Sequence, residues 1–456
     1  MEKSGNKRYL VTWSDGKTDL TKASNLLGIT ADKCKAGVSF METDAIPGKD
    51  DVMHFENLGI TSMELTSDEA VNLLEKEGIL AVEEDTEMHI LELPQNEEYN
   101  SFLGSNANLE PIPSESPDFR NGYNKALTDI FASMLKLGQA DLQAPAIAGN
   151  PVPGPFFWPF PILKKQAIPW NINLVKAPQA WARGFNGSGI KVAVLDTGIA
   201  THPDLVVAGG VSFIPGVVSY NDGNSHGTHC AGIIGARNNW IGVVGVAPLC
   251  ELYAVKVLAD SGSGSSSGII AGMEWCITNG IKVASMSLGS TSGPSVAWAN
   301  AIKHCQDNGV TVVCASGNSY VDTSPVFPWV NAPANSFVMG ARTASPIAVG
   351  AVDLASLIAY FSSRGGQNEN WNQVTLVAPG VNINSTIPGN GYGKKSGTSM
   401  ATPHVAGIAA LVCQRFPGIL PVGVKARLAQ TATNLGPAGF DLTYGYGLIN
   451  CDSATL

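Results

Sequence analysis

The sequence predicts an α/β protein, with a parallel sheet flanked by helices over residues 166–456 and a small α+β unit over residues 1–92. Two observations carry this expectation. Behind residue 166, short β-rich apolar runs alternate with helical stretches, the pattern of a parallel sheet covered by helices. In front of residue 92, short strands flank one well-capped helix. The stretch between them, residues 93–165, fits neither pattern and reads as a linker insert.

In the front unit, residues 9–13 and 59–65 read as strands. Thr66 and Glu69 have capping-box spacing, so a helix starts there. Ala70, Leu73 and Leu74 give it an apolar stripe to about Glu77, and residues 78–85 return as a strand. In the insert, Tyr123, Leu127, Ile130, Phe131, Met134 and Leu135 fall at the spacing of one amphipathic helix. Residues 151–161 are rich in proline, which lacks an N–H and fixes φ. That stretch is therefore extended, as a stiff linker or as a strand along a cleft. In the rear part, residues 192–195, 252–257, 283–287 and 310–313 are buried-strand candidates, and residues 267–279 and 295–308 look helical.

The chain of 456 residues is long enough for two or three domains. Charged residues make up 14%, against roughly 25% in an average soluble protein. The net charge of −10 is uneven: residues 1–165 carry 14 Lys/Arg and 26 Asp/Glu, residues 166–456 carry 14 and 12. This balance gives no reason to expect nucleic acid as a partner. It fits docking of the front half on the rear half, or solubility alone. No apolar run reaches the ~18–20 residues of a membrane helix. The first residues lead into a strand and not into a signal-peptide core, which suits a protein that stays in the cytoplasm, leaves by another route, or lost a signal before numbering began. The eight cysteines have no zinc-like spacing. Most lie in apolar runs and are expected to be free thiols.

Three blocks carry chemistry. Asp196 lies in Val194-Leu195-Asp196-Thr197-Gly198, His226 in Ser225-His226-Gly227-Thr228-His229, and Ser399 in Gly397-Thr398-Ser399-Met400-Ala401-Thr402-Pro403-His404. A serine hydroxyl needs a base within hydrogen-bond reach to act as a nucleophile. His226 would take its proton, and Asp196 would hold the imidazole tautomer. Ser399 is expected to begin a helix to about Cys413, with Pro403 in a first turn that needs few N–H donors. His-Gly-Thr-His alone could suggest a metal site, but the glutamate of H-E-x-x-H is missing. His229 and His404 read as structural. A fourth block is Ala315-Ser316-Gly317-Asn318, where Gly-Asn is by itself a turn signal.

These blocks, in the order Asp, His, Ser, resemble the subtilisin-like serine proteases from about Gln166 to about Asn450. The order matters because the same triad recurs on other folds in other orders. The resemblance implies a serine endopeptidase on a subtilisin-like parallel sheet, working through an acyl-enzyme on protein or peptide substrates. Asn318 matches the family's oxyanion donor, with the Ser399 N–H as the second. Gly262, Ser263 and Gly264, and Ser287, Leu288 and Gly289, match two substrate-flanking segments, between which a peptide would add as a strand. Ser266 stands where relatives often carry a large aromatic, which implies a roomy pocket for the residue four before the cut. Gln166, Asp204 and Asn239, with the carbonyls of Arg237, Ile241 and Val243, match a Ca²⁺ site of oxygen donors. Cys230 is expected near His226 and within reach of mercurials, and Met400 is a candidate for inactivating oxidation. The front unit resembles the family's ferredoxin-like propeptide domain, most closely in Val82-Glu83-Glu84-Asp85 and His89-Ile90, which implies an autoprocessed zymogen inhibited by its own chain. The Gln166 match puts the expected junction near Lys164-Lys165-Gln166. A monomer without a membrane span is implied. Peptide ligation or macrocyclisation on the same scaffold and a silent peptide-binding pseudoprotease are the rival readings.

Overall fold

The computed structural model describes residues 6–30, 33–42, 51–91, 93, 166, 168–320, 330–336, 345–366 and 373–456. The helix expected from Tyr123 to Leu135 and the proline-rich stretch lie outside them.

The front unit runs β1 (Lys7–Trp13), α1 (Leu20–Leu27), β2 (Cys34–Ala36), α2 (Gly37–Met41), β3 (Val52–Phe55), β4 (Ile60–Leu65), α3 (Ser67–Leu74) and β5 (Ile79–Glu84). Its sheet has the order β2-β3-β4-β1-β5. Without the short β2, this is the βαββαβ arrangement of a ferredoxin-like fold, with β1 antiparallel to both β4 and β5. The capping box at α3 is present: Thr66 Oγ1 accepts from the Glu69 N–H, and Glu69 Oε2 accepts from the Thr66 N–H. The helix ends at Leu74, earlier than the sequence suggests, because the turn into β5 uses Gly78 at φ +92°.

The alternation of strand side chains splits the front unit's apolar residues between two faces. Tyr9, Val11, Met63 and Leu65 pack with Ala70 and Leu73 inside the unit. Leu10, Met53, Phe55, Leu58 and Ile60 share a buried cluster with Ile269, Met273, Ala297 and Trp298 of the rear part. The front sheet therefore lies on two helices of the rear part, and the two parts share one buried cluster.

The next strand is β6 (Glu87–Ile90), followed by α4 (Trp170–Leu174) and α5 (Ala177–Ala182). The rear part then alternates: β7 (Lys191–Asp196), β8 (Val207–Ser212), α6 (His226–Gly235), β9 (Glu251–Lys256), β10 (Ser263–Ser265), α7 (Ser266–Thr278), β11 (Val283–Met286), β12 (Leu288–Gly289), α8 (Val296–Asp307), β13 (Thr311–Ala315), β14 (Ile347–Val352) and β15 (Leu376–Pro379). It closes with the hairpin β16 (Ile383–Ile387) and β17 (Gly391–Lys395), then α9 (Thr398–Arg415), α10 (Pro421–Thr431) and α11 (Cys451–Ala454). Seven strands form one sheet in the order β15-β14-β13-β11-β7-β9-β8. Every pairing in it is parallel. Such strands are covered on both faces and read as near-continuous apolar runs, as residues 192–195 and 310–313 do. Helix α9 is buried through most of its length and carries Ser399 at its start. Among the described residues no helix is long and apolar enough to cross a membrane. All eight cysteines are unpaired.

Candidate active site

Asp196 ends β7, His226 opens α6 and Ser399 is the second residue of α9, so three separate elements each supply one member of the candidate triad. His226 Nδ1 lies 2.7 and 2.9 Å from the two Asp196 carboxylate oxygens, and both side chains are fully buried. The carboxylate thus holds Nδ1–H and leaves Nε2 as the basic atom. Nε2 is itself buried and without a partner among the described residues. Burial works against the imidazolium, but the Asp196 carboxylate, with a further contribution from Cys230, lifts His226 well above its ordinary value.

Ser399 and Ser287 exchange hydrogen bonds. Ser399 Oγ donates to the Ser287 carbonyl at 3.0 Å, and Ser287 Oγ donates to the Ser399 carbonyl at 2.9 Å. Pro403 explains the second bond. It is not in the first turn, as the sequence suggested, but the sixth residue of α9. There its missing N–H leaves the carbonyl four residues back, that of Ser399, without a helical donor. Ser287 Oγ takes that carbonyl together with Cys230 Sγ at 3.6 Å. The Ser399 backbone is therefore fixed from outside its own helix. To reach the base, Oγ must leave the Ser287 carbonyl and turn toward Nε2.

A residue that the sequence reading missed organises the whole pair. Asp222 is buried, and its carboxylate accepts five hydrogen bonds: from Thr197 Oγ1, Asn224 N, Ser225 N, Thr228 N and Thr228 Oγ1, at 2.6–3.0 Å. It thereby caps α6 in place of Ser225, whose side chain makes no cap bond and whose φ is +101°. A non-glycine residue at such an angle is strained by about 1–3 kcal/mol and persists only where its surroundings hold it. Thr197 in turn accepts the Gly227 N–H at 2.9 Å. Glycine is required at 227, since a Cβ there would lie 2.1 Å from the Gly198 carbonyl oxygen. The available signal was the polar run Asp222-Gly223-Asn224-Ser225 just before a helix, a capping pattern. An Asp222→Asn substitution leaves an amide N–H facing the Thr228 donors. We expect kcat to fall about 10²-fold with a smaller change in KM, since displacement of a catalytic group by about 1 Å has that effect. Steady-state kinetics on a chromogenic peptide would check it, and an unchanged kcat would refute the positioning role.

The two segments expected to flank a substrate lie on either side of one strand of the chain itself. β6 lies between β10 and β12 in a three-stranded antiparallel sheet. Gly289 and Ser263 both register with His89, Leu288 with Ile90, and Gly264 with Met88. The Ile90 N–H donates to the Gly262 carbonyl at 2.9 Å. Asn318 Nδ2 donates to the Leu91 carbonyl at 2.8 Å. Asn318 is held in that attitude because its Oδ1 accepts from Thr398 N and Oγ1, both at 2.9 Å. Past Leu91, the Leu93 N–H donates to the Ser396 carbonyl at 3.0 Å. Ser266 lines a cavity with Thr86, Ser295 and Trp298, and its N–H and Oγ both bond to the Thr86 carbonyl.

Carboxylates of the front unit cap the helices it covers. Glu83 accepts from Val296 N, Ala297 N and Ser295 Oγ at the start of α8. Asp85 accepts from Ser267 N at the start of α7. Negative charge at a helix N-terminus is favourable by about 0.3–1 kcal/mol. Burial pushes the Asp85 carboxyl up, and its bonds to Ser267 oppose this.

Other candidates fall into structural roles. His229 Nε2 lies 2.9 and 3.0 Å from the carbonyls of Ile383 and Gly393, and burial pulls its imidazole down to about 3. His404 bridges the Met400 carbonyl and Asn171 Nδ2, and burial pulls it down to about 4. Cys230 Sγ lies 4.0 Å from His226 Nδ1. It is fully buried, and burial pushes its thiol up, which disfavours the thiolate a mercurial attacks. Met400 is fully buried.

The six residues expected to bind calcium also come together. Gln166 Nε2 donates to the carbonyls of Arg237 at 3.0 Å, Val243 at 2.6 Å, and Ile241. Its Oε1 accepts from Asn239 N at 3.0 Å. Asp204 Oδ2 accepts from Val243 N and from the Tyr392 hydroxyl, while Asp204 Oδ1 is buried without a partner among the described residues.

A buried Asp-His pair, a serine at a helix start and an amide donor aimed at a peptide carbonyl, all on a parallel α/β sheet, define a serine hydrolase of the Asp-His-Ser type. The family model described as the Subtilase family matches residues 187–447. Subtilisin Savinase from Lederbergia lenta is 51% identical over 290 residues, which cover 64% of this chain and 99% of that protein. M-protease from Shouchella clausii (strain KSM-K16) is also 51% identical over 290 residues, covering 64% and 70%. Subtilisin DY from Bacillus licheniformis is 46% identical, covering 63% and 99%. The chain belongs to the subtilase family, and it is a serine endopeptidase.

Proposed function

We propose that Ser399 attacks the peptide carbonyl of a substrate strand added between β10 and β12. His226 Nε2 takes the Ser399 proton and passes it to the leaving amine, and Asp196 steadies the imidazolium. Asn318 Nδ2 and the Ser399 N–H receive the oxyanion. The Ser399 N–H suits this role because the first N–H groups of a helix have no partner within it. The observation that carries the reading is the 2.8 Å bond from Asn318 Nδ2 to the carbonyl of a strand held in the cleft. Hydrolysis of a chromogenic tetrapeptide, with stoichiometric labelling of Ser399 by a phosphonate, tests it. Absence of both would refute it.

In the same reading residues 1–92 act as an intramolecular inhibitor, residues 93–165 as a linker insert and residues 166–456 as the catalytic domain. The occupied cleft and the caps from Glu83 and Asp85 support the inhibitor role. Two carboxyls that burial pushes up, Asp85 and Glu274, make the docking pH-dependent. Glu274 is covered by the front unit, where its Oε1 accepts from Asn57 N and Nδ2, and Oε2 is buried without a partner among the described residues. Burial, reinforced by Glu56 nearby, pushes Glu274 up to about 7, while a carboxyl facing water titrates near about 4.3. The docked state thus binds the proton more tightly than the released state. Docking is strongest below about pH 4.3, weakens as pH rises to about 7, and is flat above. Between about pH 5 and 8 we expect dissociation of the severed front unit to become roughly 10–100-fold easier. Co-elution of the two pieces at stepped pH would measure it, and Glu274→Gln should weaken the dependence and leave the part due to Asp85.

Residues Gln166, Asp204, Arg237, Asn239, Ile241 and Val243 would hold a structural Ca²⁺. Three carbonyls converge on one amide group that has only two N–H donors, and the partnerless Asp204 oxygen adds a fourth hard donor. Such an all-oxygen set suits Ca²⁺. Chelation is expected to lower the melting temperature by roughly 3–5 °C, the effect on a domain of this size of removing a ligand held at about 100 times its Kd. Asp204→Asn should abolish the difference between calcium and chelator, and an equal shift in that variant would refute the site.

A further inference from the structure

We propose that Lys256 and Asp260 are positioning residues for the triad: a buried ammonium and the exposed carboxylate paired with it hold the Asp196 turn and the loop before His226 in one closed ring of hydrogen bonds. This rests on the triad reading above. Neither residue touches the reacting atoms, and both act through their neighbours.

Lys256 ends β9, opposite Asp196 at the end of β7, and its neighbours Val255, Val257 and Leu258 are fully buried. An ammonium in such a place costs folding energy unless it is paired, so packing does not explain it. Its side chain is 3% exposed, against 60% for that of Asp260. Nζ donates to Asp260 Oδ1 at 2.6 Å and to the Thr197 carbonyl at 2.5 Å. The lysine also holds the Asp260 carboxyl below its ordinary value, so both partners are charged at neutral pH.

From each partner a short path leads to one member of the Asp196–His226 pair. On the lysine side the link is Thr197. Its N–H donates to Asp196 Oδ1 at 2.7 Å, its Oγ1 accepts the Gly227 N–H beside His226, and its carbonyl is the one that Lys256 takes. The Asp196 carbonyl is already fixed, since it accepts from Val257 N and Leu258 N at 3.0 and 3.1 Å. The remaining freedom lies in the Thr197 turn, and Lys256 Nζ removes it. Thr197 is fully buried, so loss of the ammonium unpairs a buried carbonyl and the turn must shift to repair it. On the carboxylate side, Asp260 Oδ1 accepts the Gly223 N–H at 3.1 Å, and the Asp260 carbonyl accepts from Asn224 Nδ2 at 2.9 Å. Asn224 Oδ1 in turn accepts the His226 N–H at 3.2 Å. Gly223 packs so close that a Cβ on it would sit 2.2 Å from Asp260 Oδ2. Lys256 thus sets the carboxylate that orients the imidazole, Asp260 sets the backbone that carries the imidazole, and their ion pair closes the ring.

The test compares the native chain with Lys256→Met, Asp260→Ala and the double variant, with active enzyme counted by phosphonate labelling of Ser399. On a chromogenic peptide kcat should fall about 10²-fold in Lys256→Met and about tenfold in Asp260→Ala with little change in KM, because the substrate is still bound and only the base is misplaced. The double variant should lose no more than Lys256→Met alone, since two members of one ion pair do not act additively. Proton NMR reads the His226 Nδ1–H shared with Asp196. Its resonance should move in Lys256→Met, a change that a role in stability alone would not produce. An unchanged kcat or an unmoved resonance in a folded Lys256→Met would overturn the proposal, and fully multiplicative losses in the double variant would overturn the pairing. Should Lys256→Met not fold, Asp260→Ala decides, because that side chain is exposed: native kcat there overturns the proposal. A native chain that neither labels nor hydrolyses the peptide would overturn the triad reading as well.

Discussion

Replacing Ser399 with Ala lowers kcat on a chromogenic peptide by roughly 10⁶-fold, the scale on which loss of the nucleophile acts in a subtilisin. The loss is chemical and not structural. The side chain contributes one hydrogen bond, to the Ser287 carbonyl at 3.0 Å, whereas the bonds that fix this residue in place go to its backbone carbonyl and survive the change. The melting temperature is therefore expected to move by only a few degrees, since one such bond is worth about 1 kcal/mol. Active-site titration followed by stopped assays would check the activity, and calorimetry the fold. Retention of a thousandth of the native rate would mean that another group carries the chemistry.

The second large effect belongs to Asn318. Asn318→Ala is expected to lower kcat by about 10²–10³ with little change in KM, because the amide donor matters most once the carbonyl oxygen becomes an anion. Asn318 does two jobs, since its Oδ1 also accepts both Thr398 donors at the start of α9. Alanine removes both. Asn318→Asp separates them: it keeps acceptors for Thr398 and loses the N–H that meets the Leu91 carbonyl. If oxyanion stabilisation is the main role, Asp is as damaging as Ala. Near-native kcat in Asn318→Asp would assign the residue to supporting the helix.

Much of this site was legible in the sequence because the motif residues lie at the ends of regular elements. Asp196 closes an apolar run that could only be a buried strand, and Ser399 opens a long helix. What the sequence hid were partners far apart in the chain. Met88 is buried while Glu87 and His89 are exposed, so β6 carries the alternation of a half-buried strand. Nothing in that pattern says that its two neighbours are β10 and β12. The contribution of Glu83 and Asp85 was hidden likewise, because a carboxylate that caps its own helix and one that caps another look the same in sequence. Strand β8 escaped notice because its two glycines and edge position remove the apolar run. Pro403 misled by one turn: helix starts are uncertain by a residue or two, and the carbonyl it frees is satisfied by side chains of β11's loop and α6, which no local rule anticipates.

That β6 and the edges it joins belong to one chain also governs how the cleft opens. A tethered ligand competes at an effective concentration of order millimolar, however dilute the protein. While the link is whole, no lowering of protein concentration can empty the cleft, and an external peptide must outcompete a neighbour that never diffuses away. Once the link is cut the same contacts become an ordinary two-body equilibrium, and dilution alone begins to release the enzyme. A single broken bond thus converts inhibition from a property of the molecule into a property of the solution.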